Sequence, residues 1–253
     1  MTTSHAADGH LNVTTGVLRT VEMFGPTIQG EGPDVGRAAM FLRLAGCNLT
    51  CNWCDTAFAW DPTRLDPQRP PRVTQIADIL TWLDPRTTNP DAAEPAVTRL
   101  VLTGGEPLLQ AHATVELVVT LRQLGWIIEV ETSGTVSPGE LAAYVDRFNV
   151  SPKLANSGVT RRARLRSQVL SEFVTHTGAI FKFVVEQVSD LDEVATIISS
   201  VGVEPSRVFV MAEGTTADAV LGLSRDLVDA VVARGWNMTP RWHTLLWGDE
   251  PGR

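Results

Sequence analysis

The sequence predicts an α/β fold in which helices cover a largely parallel sheet. Short β-branched runs alternate with segments whose apolar residues recur every three or four positions. This strand-and-helix unit repeats about six times, which is typical of parallel strands joined by crossover helices. The 253 residues are 43% hydrophobic and 20% charged, so the chain carries enough apolar material for a well-filled core.

The predicted elements follow one another in a regular rhythm. The strand-like runs lie at residues 16–24, 37–46, 99–107, 126–131, 148–153, 179–186, 207–214 and 236–240. The helical patterns include Val73, Ile76, Leu80 and Leu83, then residues 111–124, a segment near 138–147, a region through 171, and residues 190–200 and 216–234. Residues 61–71 and 84–95 are rich in proline and polar side chains, which predicts surface loops.

Short polar segments follow nearly every predicted strand. They read CDT, TGGEP, ETSG, SPK and MAEG along the chain. In β/α barrels such segments gather on one face and build the active site. A doubly wound sheet would instead concentrate them at one switch point. We therefore expect a partial (incomplete) TIM-type β/α barrel of about six parallel strands, with one domain over residues 16–253 and a flexible polar tail over residues 1–15.

Charge and cysteine content restrict the partners and the compartment. The net charge of −8 makes nucleic acid an unexpected ligand. The densest basic run, TRRARLR at residues 160–166, is interpreted as a solvated helix face. Three cysteines cannot all pair within one chain, which predicts a reducing compartment and hence the cytoplasm. No apolar stretch approaches the ~20 residues that span a bilayer, so we expect no membrane partner.

All three cysteines fall within GCNLTCNWCDT, as Cys47, Cys51 and Cys54. Structural zinc usually takes four protein ligands, so a zinc site would need a distant histidine. The candidates for that fourth ligand are His112, His176 and His243. A cubane iron–sulfur cluster normally takes four thiolates, so three cysteines would leave one iron open to a small ligand. Zinc and iron–sulfur interpretations both remain open on the spacing alone.

CxxxCxxC followed by Gly104-Gly105-Glu106-Pro107 resembles the radical S-adenosylmethionine superfamily. The resemblance implies a radical S-adenosylmethionine core and a 4Fe-4S cluster whose open iron is chelated by the methionine moiety of the cofactor. That cofactor then yields a 5′-deoxyadenosyl radical. The glycines would let the backbone approach the ammonium end of the cofactor, and Trp53 would offer a face beside the adenine.

A more specific resemblance runs from about residue 21 to 248. VEMFGPTIQGEGPDVG, FLRLAGCNLTCNWCDT, TGGEP, ETSGT, SPK and HTLLWG are similar to the 7-carboxy-7-deazaguanine synthase family. The resemblance implies a carbon–nitrogen lyase that converts 6-carboxy-5,6,7,8-tetrahydropterin to 7-carboxy-7-deazaguanine with loss of ammonia, in queuosine-type 7-deazapurine biosynthesis. It also implies one 4Fe-4S cluster per subunit, regenerated S-adenosyl-L-methionine, Mg2+, a flavodoxin or ferredoxin as electron donor, and a homodimer.

The resemblance also assigns site residues. The substrate-binding residues are Ile28, Gln29, Gly30, Glu31, Arg43 and Thr103. The cofactor-binding residues are Trp53, Cys54, Asp55, Gly105, Glu106, Ser151, Pro152 and Lys153, the cluster ligands are Cys47, Cys51 and Cys54, and the magnesium ligand is Thr56. No side chain is expected to act as a catalytic acid or base, because the radical arises at the cluster. Glu131, Thr132 and Ser133 are expected just behind these residues.

Several assignments have plainer alternatives. Arg43 could form a structural salt bridge, Thr56 could cap a helix, and Lys153 could be a surface lysine. Gln29 and Glu31 could be ordinary turn residues. For the whole chain, the rivals are a radical enzyme that activates a partner protein and a zinc-stabilised nucleic-acid-binding protein. The tail after HTLLWG differs from family members that end near this motif, so it is left out of the site.

Overall fold

The computed structural model describes residues 16–84 and 97–248. The predicted N-terminal tail, the final residues 249–253 and nearly all of the predicted loop at 84–95 lie outside this part of the chain. Within it, the loop prediction for residues 61–71 is confirmed, since that segment consists of turns and bends.

Nine strands form one sheet in the described residues. They are β1 (Val17–Ile28), β2 (Ala38–Leu44), β3 (Arg72–Gln75), β4 (Arg99–Gly104), β5 (Ile127–Thr132), β6 (Arg147–Val150), β7 (Ala179–Val185), β8 (Val208–Ala212) and β9 (Asn237–Met238). Their order across the sheet is β3-β1-β2-β4-β5-β6-β7-β8-β9. The two end strands, β3 and β9, are not neighbours, so the barrel is incomplete, as predicted.

The parallel part of the sheet runs from β2 to β9. Each pair of neighbours from β2–β4 to β8–β9 is parallel. The other end differs from the prediction, because β1 pairs antiparallel with both β2 and β3. A long β1 can turn directly back into β2, whereas a parallel pair would need a crossover connection of a dozen residues or more.

Seven α-helices accompany the sheet in the described chain. They are α1 (Ile76–Leu83), α2 (Ala111–Gln123), α3 (Arg161–Arg164), α4 (Ser167–Thr175), α5 (Asp190–Val201), α6 (Ala217–Ala233) and α7 (Trp242–Trp247). The predicted helices at 111–124, 190–200 and 216–234 are thereby confirmed to within a few residues.

Two helix predictions are wrong in detail. Val73 belongs to β3, because residues 72–75 pair with β1 rather than starting the helix. Its side chain is 67% exposed, whereas the neighbouring Thr74 faces inward and its hydroxyl lies 2.6 Å from that of Thr20. The segment near 138–147 is a 3-10 helix, Gly139–Tyr144, followed directly by β6. The helix α7 was not predicted.

The core lies between the sheet and its helices. Its largest fully buried side chains include Phe148, Phe173, Phe181 and Phe183. Every residue of β7 is buried, including Lys182 in the middle of the run AIFKFVV. A buried ammonium is costly without a partner, so Lys182 directs attention to the end of the sheet where its partner lies. None of the described helices is long and apolar enough to cross a membrane.

Candidate active site

The carboxyl ends of the parallel strands lie side by side. Leu44 is paired with Gly104, Thr132 with Val150, and Val185 with Ala212. The polar segments that follow these strands therefore meet at one edge, where they surround a cavity. This edge is where β/α barrels place their active sites.

Most of the predicted site residues line this cavity. They are Ile28, Gln29, Gly30, Glu31, Arg43, Cys47, Cys51, Trp53, Cys54, Asp55, Thr56, Thr103, Gly105, Ser151 and Lys153. Glu106 and Pro152 are buried but do not line it. The cavity also contains His243, which the sequence offered only as a distant zinc ligand, and Met211 and Glu213 of the MAEG segment. Lining residues that the sequence did not single out include Phe24, Phe41, Trp60, Asn149, Lys182 and Arg241.

The three cysteines occupy the loop between β2 and the 3-10 helix Ala57–Ala59, and all are free thiols. The Leu49 N–H donates to Cys47 Sγ at 3.4 Å, and Trp60 Nε1 donates to Cys54 Sγ at 3.4 Å. Burial raises the pKa of Cys47 to about 11, and the negative charges of Glu106, Cys54 and Cys51 add to the rise. The thiolate form therefore needs positive charge nearby, which the irons of a cluster supply.

The glycine pair at the end of β4 packs directly against this loop. A Cβ on Gly105 would lie 2.3 Å from Gly46 O and 2.8 Å from Cys47 Cβ. Gly104 has φ of +152°, and a Cβ there would lie 2.2 Å from Leu44 O. Only glycine lets these two loops approach so closely. The three thiols and both glycines line the same cavity, so a cluster held by the thiols would lie beside the backbone of the glycine pair.

Glu106 ties the glycine loop to the loop after β5. Its Oε1 accepts from Leu108 N at 3.1 Å and from Thr132 Oγ1 at 2.7 Å. Its Oε2 accepts from Ser133 N at 2.8 Å and from Ser133 Oγ at 2.5 Å. The side chain is fully buried, and each carboxylate oxygen accepts two hydrogen bonds from protein groups. Glu106 fixes the relative position of two cavity loops from beneath.

Trp53 and the SPK segment meet at one wall of the cavity. Lys153 Nζ lies 5.3 Å from the centroid of the Trp53 ring and donates to Ser151 Oγ at 3.0 Å. Trp53 Nε1 donates to Asn156 Oδ1 at 3.3 Å. Lys153 is therefore not an unattached surface lysine, because its ammonium is held over an aromatic face of the cluster loop.

Arg43 forms the salt bridge that was the plainer alternative, and it also lines the cavity. Its Nε forms an ion pair with Glu22 Oε2 at 2.8 Å, and Glu22 also pairs with Arg69. Its guanidinium carbon lies 5.9 Å from the ring centroids of Phe24 and Phe58. The ion pair uses one of three guanidinium nitrogens, and the side chain still lines the cavity.

A buried ion network joins the β1–β2 loop to β7 and to the residues around α7. Glu31 pairs with Lys182, while Arg241 Nε and His243 Nε2 lie 3.9 Å and 4.0 Å from Glu31 Oε1. Burial alone would raise the pKa of Glu31, but the charges of Lys182, His243 and Arg241 lower it to about 2. Arg241 Nη2 also pairs with Asp55, so the network reaches the cysteine loop.

The amide of Gln29 is engaged below the cavity. Its Nε2 donates to Glu129 and to Glu131, the latter at 3.2 Å, and its Oε1 accepts from Glu31 N at 3.1 Å. Glu129 is fully buried and also accepts from Asn149 Nδ2 and from Arg99 Nη1. The Gln29 side chain therefore shapes the loop that carries Ile28 to Glu31.

Two buried polar atoms of cavity residues lack a hydrogen-bond partner within the described chain. They are Asn149 Oδ1 and Arg241 Nε, one acceptor and one donor. Native proteins leave few buried polar groups unpaired, so such atoms in a cavity wall indicate a place for a polar ligand.

Thr56 directly precedes the 3-10 helix Ala57–Ala59, but its side chain makes no capping hydrogen bond. Its Oγ1 lies 3.7 Å from Cys54 Sγ. The capping alternative is therefore not realised. No three His, Cys, Asp or Glu side chains in the described chain converge closely enough to share one metal ion.

The residues missed by sequence reasoning differ in how visible they were. Lys182 interrupts an apolar strand run, and Asn149 does the same in FNV, so each carried a signal of a buried polar group. Arg241 carried none, because its position depends on α7 folding back so that Trp242 N donates to Gly30 O at 2.9 Å.

Comparisons with known proteins agree with this geometry. A family model described as a 4Fe-4S single cluster domain matches residues 28–136. The 7-carboxy-7-deazaguanine synthase of Pyrobaculum aerophilum is 35% identical, covering 93% of this chain and 97% of the relative. The enzyme of that name from Bacillus subtilis is 30% identical, covering 93% and 98%. The crystal structure of QueE from Escherichia coli superposes with a TM-score of 0.68 at 24% identity, covering 90% of this chain and 95% of that one, which supports the fold.

The 4Fe-4S domain match and the curated relatives identify this incomplete barrel with its three-thiol loop as a radical S-adenosylmethionine protein that takes a 4Fe-4S cluster. Likeness to the two relatives extends over nearly the whole of both sequences rather than over the cysteine loop alone. The chain belongs to the 7-carboxy-7-deazaguanine synthase family.

Proposed function

We propose that this chain converts 6-carboxy-5,6,7,8-tetrahydropterin to 7-carboxy-7-deazaguanine with loss of ammonia, as a carbon–nitrogen lyase of 7-deazapurine biosynthesis. The observation that carries the proposal is the meeting of the TIQGEG loop, the CDT loop and the TGGEP loop around one cavity. Family membership over nearly the whole chain supports the same reaction.

The polar groups of the cavity suit a pterin. Its 2-amino-4-oxo edge presents adjacent donors and an acceptor, and Asn149 Oδ1 and Arg241 Nε, which make no hydrogen bond in the described chain, would offer the complementary acceptor and donor. The substrate also carries a carboxylate, for which Arg43 is a suitable cationic partner. Thr103, on β4, would contact the substrate from the neighbouring strand end.

The remaining site residues would orient the cofactors. When bound, the 4Fe-4S cluster and S-adenosyl-L-methionine supply a carbon radical that can remove a hydrogen atom. Cys47, Cys51 and Cys54 would hold the cluster, and Gly105 would let backbone approach the cofactor. The nucleoside would lie against the wall of Trp53, Ser151 and Lys153, with Pro152 and Glu106 behind it, and Asp55 would lie near the methionine moiety. These contacts would position the cofactor and the substrate relative to each other, because correct orientation of reacting groups lowers the activation barrier.

Thr56 would contribute one oxygen ligand to Mg2+, together with substrate oxygens and water. Its hydroxyl is not used as a helix cap, which supports this role. Magnesium commonly takes few protein ligands and keeps several waters. Thr56→Ser should retain magnesium-dependent stimulation, whereas Thr56→Ala should lose it, measured as product formation across a magnesium titration. Equal stimulation in both variants would count against the assignment.

An anaerobic assay tests the main proposal. Reconstituted protein is incubated with dithionite, S-adenosyl-L-methionine and the pterin, and mass spectrometry follows both the deazapurine and the cofactor. We expect many product molecules per cofactor consumed. One-to-one consumption, or no deazapurine from protein with a full cluster, would overturn the proposed reaction.

Other parts of the prediction concern the surroundings of the enzyme. A reduced flavodoxin or ferredoxin is the proposed electron donor, and a homodimer is the proposed assembly. We place the protein in the cytoplasm because its three thiols are free and the cluster requires them reduced. Nucleic acid is not a proposed ligand, given the net charge of −8.

A further inference from the structure

The basic run at residues 160–166 is only partly a solvated helix face. Arg164 is buried, and its Nη2 pairs with Glu193 at 2.7 Å while its Nη1 donates to Lys153 O at 2.7 Å. Arg161, Arg162 and Arg166 are exposed. Arg164 therefore anchors α3 to the SPK segment, and the other three arginines remain on the surface.

This surface borders the cysteine loop. Asn52 N donates to Ser157 O at 3.0 Å, and a Cβ on Gly158 would lie 2.3 Å from Asn52 Nδ2. Asn52 stands between Cys51 and the remaining cluster ligand Cys54. Because consecutive Cα atoms are about 3.8 Å apart, the Cα of Arg161 is at most about 15 Å from that of Ser157.

The charge of the patch is not neutralised locally. Arg161, Arg162 and Arg166 form no ion pair within the described part of the chain. Glu193, which is held close to α3, is already engaged by Arg164. A chain of net charge −8 thus presents three exposed arginines on a segment that is tied to the SPK residues and follows the contact between Ser157 and the cysteine loop.

We propose that Arg161, Arg162 and Arg166 form the docking surface for a small acidic electron-transfer protein that reduces the cluster. The inference rests on the proposed function, which needs the cluster reduced by one low-potential electron before the cofactor can be cleaved. One electron leaves the reduced flavodoxin or ferredoxin, which is oxidised by one electron, and reduces the cluster by one electron. No bond forms or breaks in that transfer. Complementary charge steers such encounters and raises association rates by about 10- to 1,000-fold.

Nucleic acid is the less favoured occupant. Phosphate backbones usually engage extended basic surfaces, and affinity grows with the number of phosphates neutralised. Three arginines on an acidic chain offer a small patch. Its position beside the cysteine loop has a direct use in electron transfer.

The test compares two charge-reversal variants of the full, cluster-containing protein. The first carries Arg161→Glu, Arg162→Glu and Arg166→Glu, with Arg164 retained. The control carries Arg19→Glu, Arg72→Glu and Arg225→Glu, which are exposed residues of β1, β3 and α6 and change the net charge equally. Stopped-flow absorbance measures the rate of cluster reduction by a reduced, acidic flavodoxin, and by dithionite in parallel.

We expect the first variant to slow reduction by flavodoxin at least about tenfold at low ionic strength, with reduction by dithionite unchanged. The control should stay within about twofold, and the wild-type rate should fall as salt screens the patch. Equal rates in both variants, or loss of RNA-oligonucleotide binding in the first variant with flavodoxin reduction intact, would overturn the docking surface. Cluster reduction is read without pterin turnover, so failure of the proposed reaction is seen separately, as absence of deazapurine with dithionite.

Discussion

The hydrogen bonds of Glu106 allow a stability prediction to be worked from the structure. Its two carboxylate oxygens accept four hydrogen bonds, two of them from backbone N–H groups, Leu108 on one oxygen and Ser133 on the other. In Glu106→Gln, one oxygen becomes an NH2 group. Whichever way the amide turns, the NH2 faces one of these two buried N–H groups and leaves it without an acceptor.

The cost follows from that loss. An unsatisfied buried donor costs about 1–3 kcal/mol, and the remaining hydrogen bonds lose their charge assistance. We therefore expect Glu106→Gln to lower the free energy of unfolding by about 2–4 kcal/mol. For a chain of this size, the corresponding fall in Tm is on the order of 4–16 °C.

Urea unfolding under anaerobic conditions, on samples of equal iron content, measures this difference. The control is Glu204→Gln, at an exposed carboxylate that makes no capping hydrogen bond, and it should change stability by no more than about 0.5 kcal/mol. A loss below about 1 kcal/mol in Glu106→Gln would refute the reasoning, because it would mean that the loops adjust without stranding a donor.

Three further predictions concern other parts of the cavity. Gly105→Ala should lower iron incorporation, because the added Cβ would overlap the Gly46 backbone. The control, Gly222→Ala, has open space in α6, so it should keep its iron and raise the free energy of unfolding by about 0.5–1 kcal/mol. Equal iron content in the two variants would contradict the prediction. Lys182→Met should lower the free energy of unfolding in urea by up to about 3–5 kcal/mol, because buried Glu31 loses its direct partner and keeps only Arg241 at 3.9 Å and His243 at 4.0 Å. Adding Glu31→Gln should restore most of the loss, and no recovery in the double variant would argue against the pair. Burial, together with the charges of Glu131 and Asp34, raises the pKa of Glu129 from 4.5 to about 7, so the folded state keeps a proton that the unfolded state has lost. The free energy of unfolding should therefore fall as the pH rises from 4.5 to about 7. Glu129→Gln should flatten this pH dependence, and an unchanged slope would disprove the assignment.

Sequence reasoning was strongest where chemistry is local in the chain. The CxxxCxxC spacing, the glycine pair and the polar segments after strands all act over a few residues, and most of the site residues predicted from them line the cavity. The parallel sheet was also predictable, because alternating strands and helices leave few other arrangements.

Edges and terminal elements were harder to predict. Val73 has an apolar side chain at helical spacing, yet pairing of residues 72–75 with β1 places it in a strand. β-Propensity depends on neighbours that the local pattern does not contain. The helix α7 spans six residues, so its periodicity was too short to read.

The sequence by itself determined that three thiols without a fourth would face a glycine loop at the carboxyl edge of a parallel sheet. Only the tertiary structure decided which distant charges complete that site. Glu31 is 151 residues from Lys182 and 186 residues separate Asp55 from Arg241. Such pairs form only because of the strand order and because α7 packs against the loop that follows β1. Burial then strengthens them by excluding water that would compete for the charges.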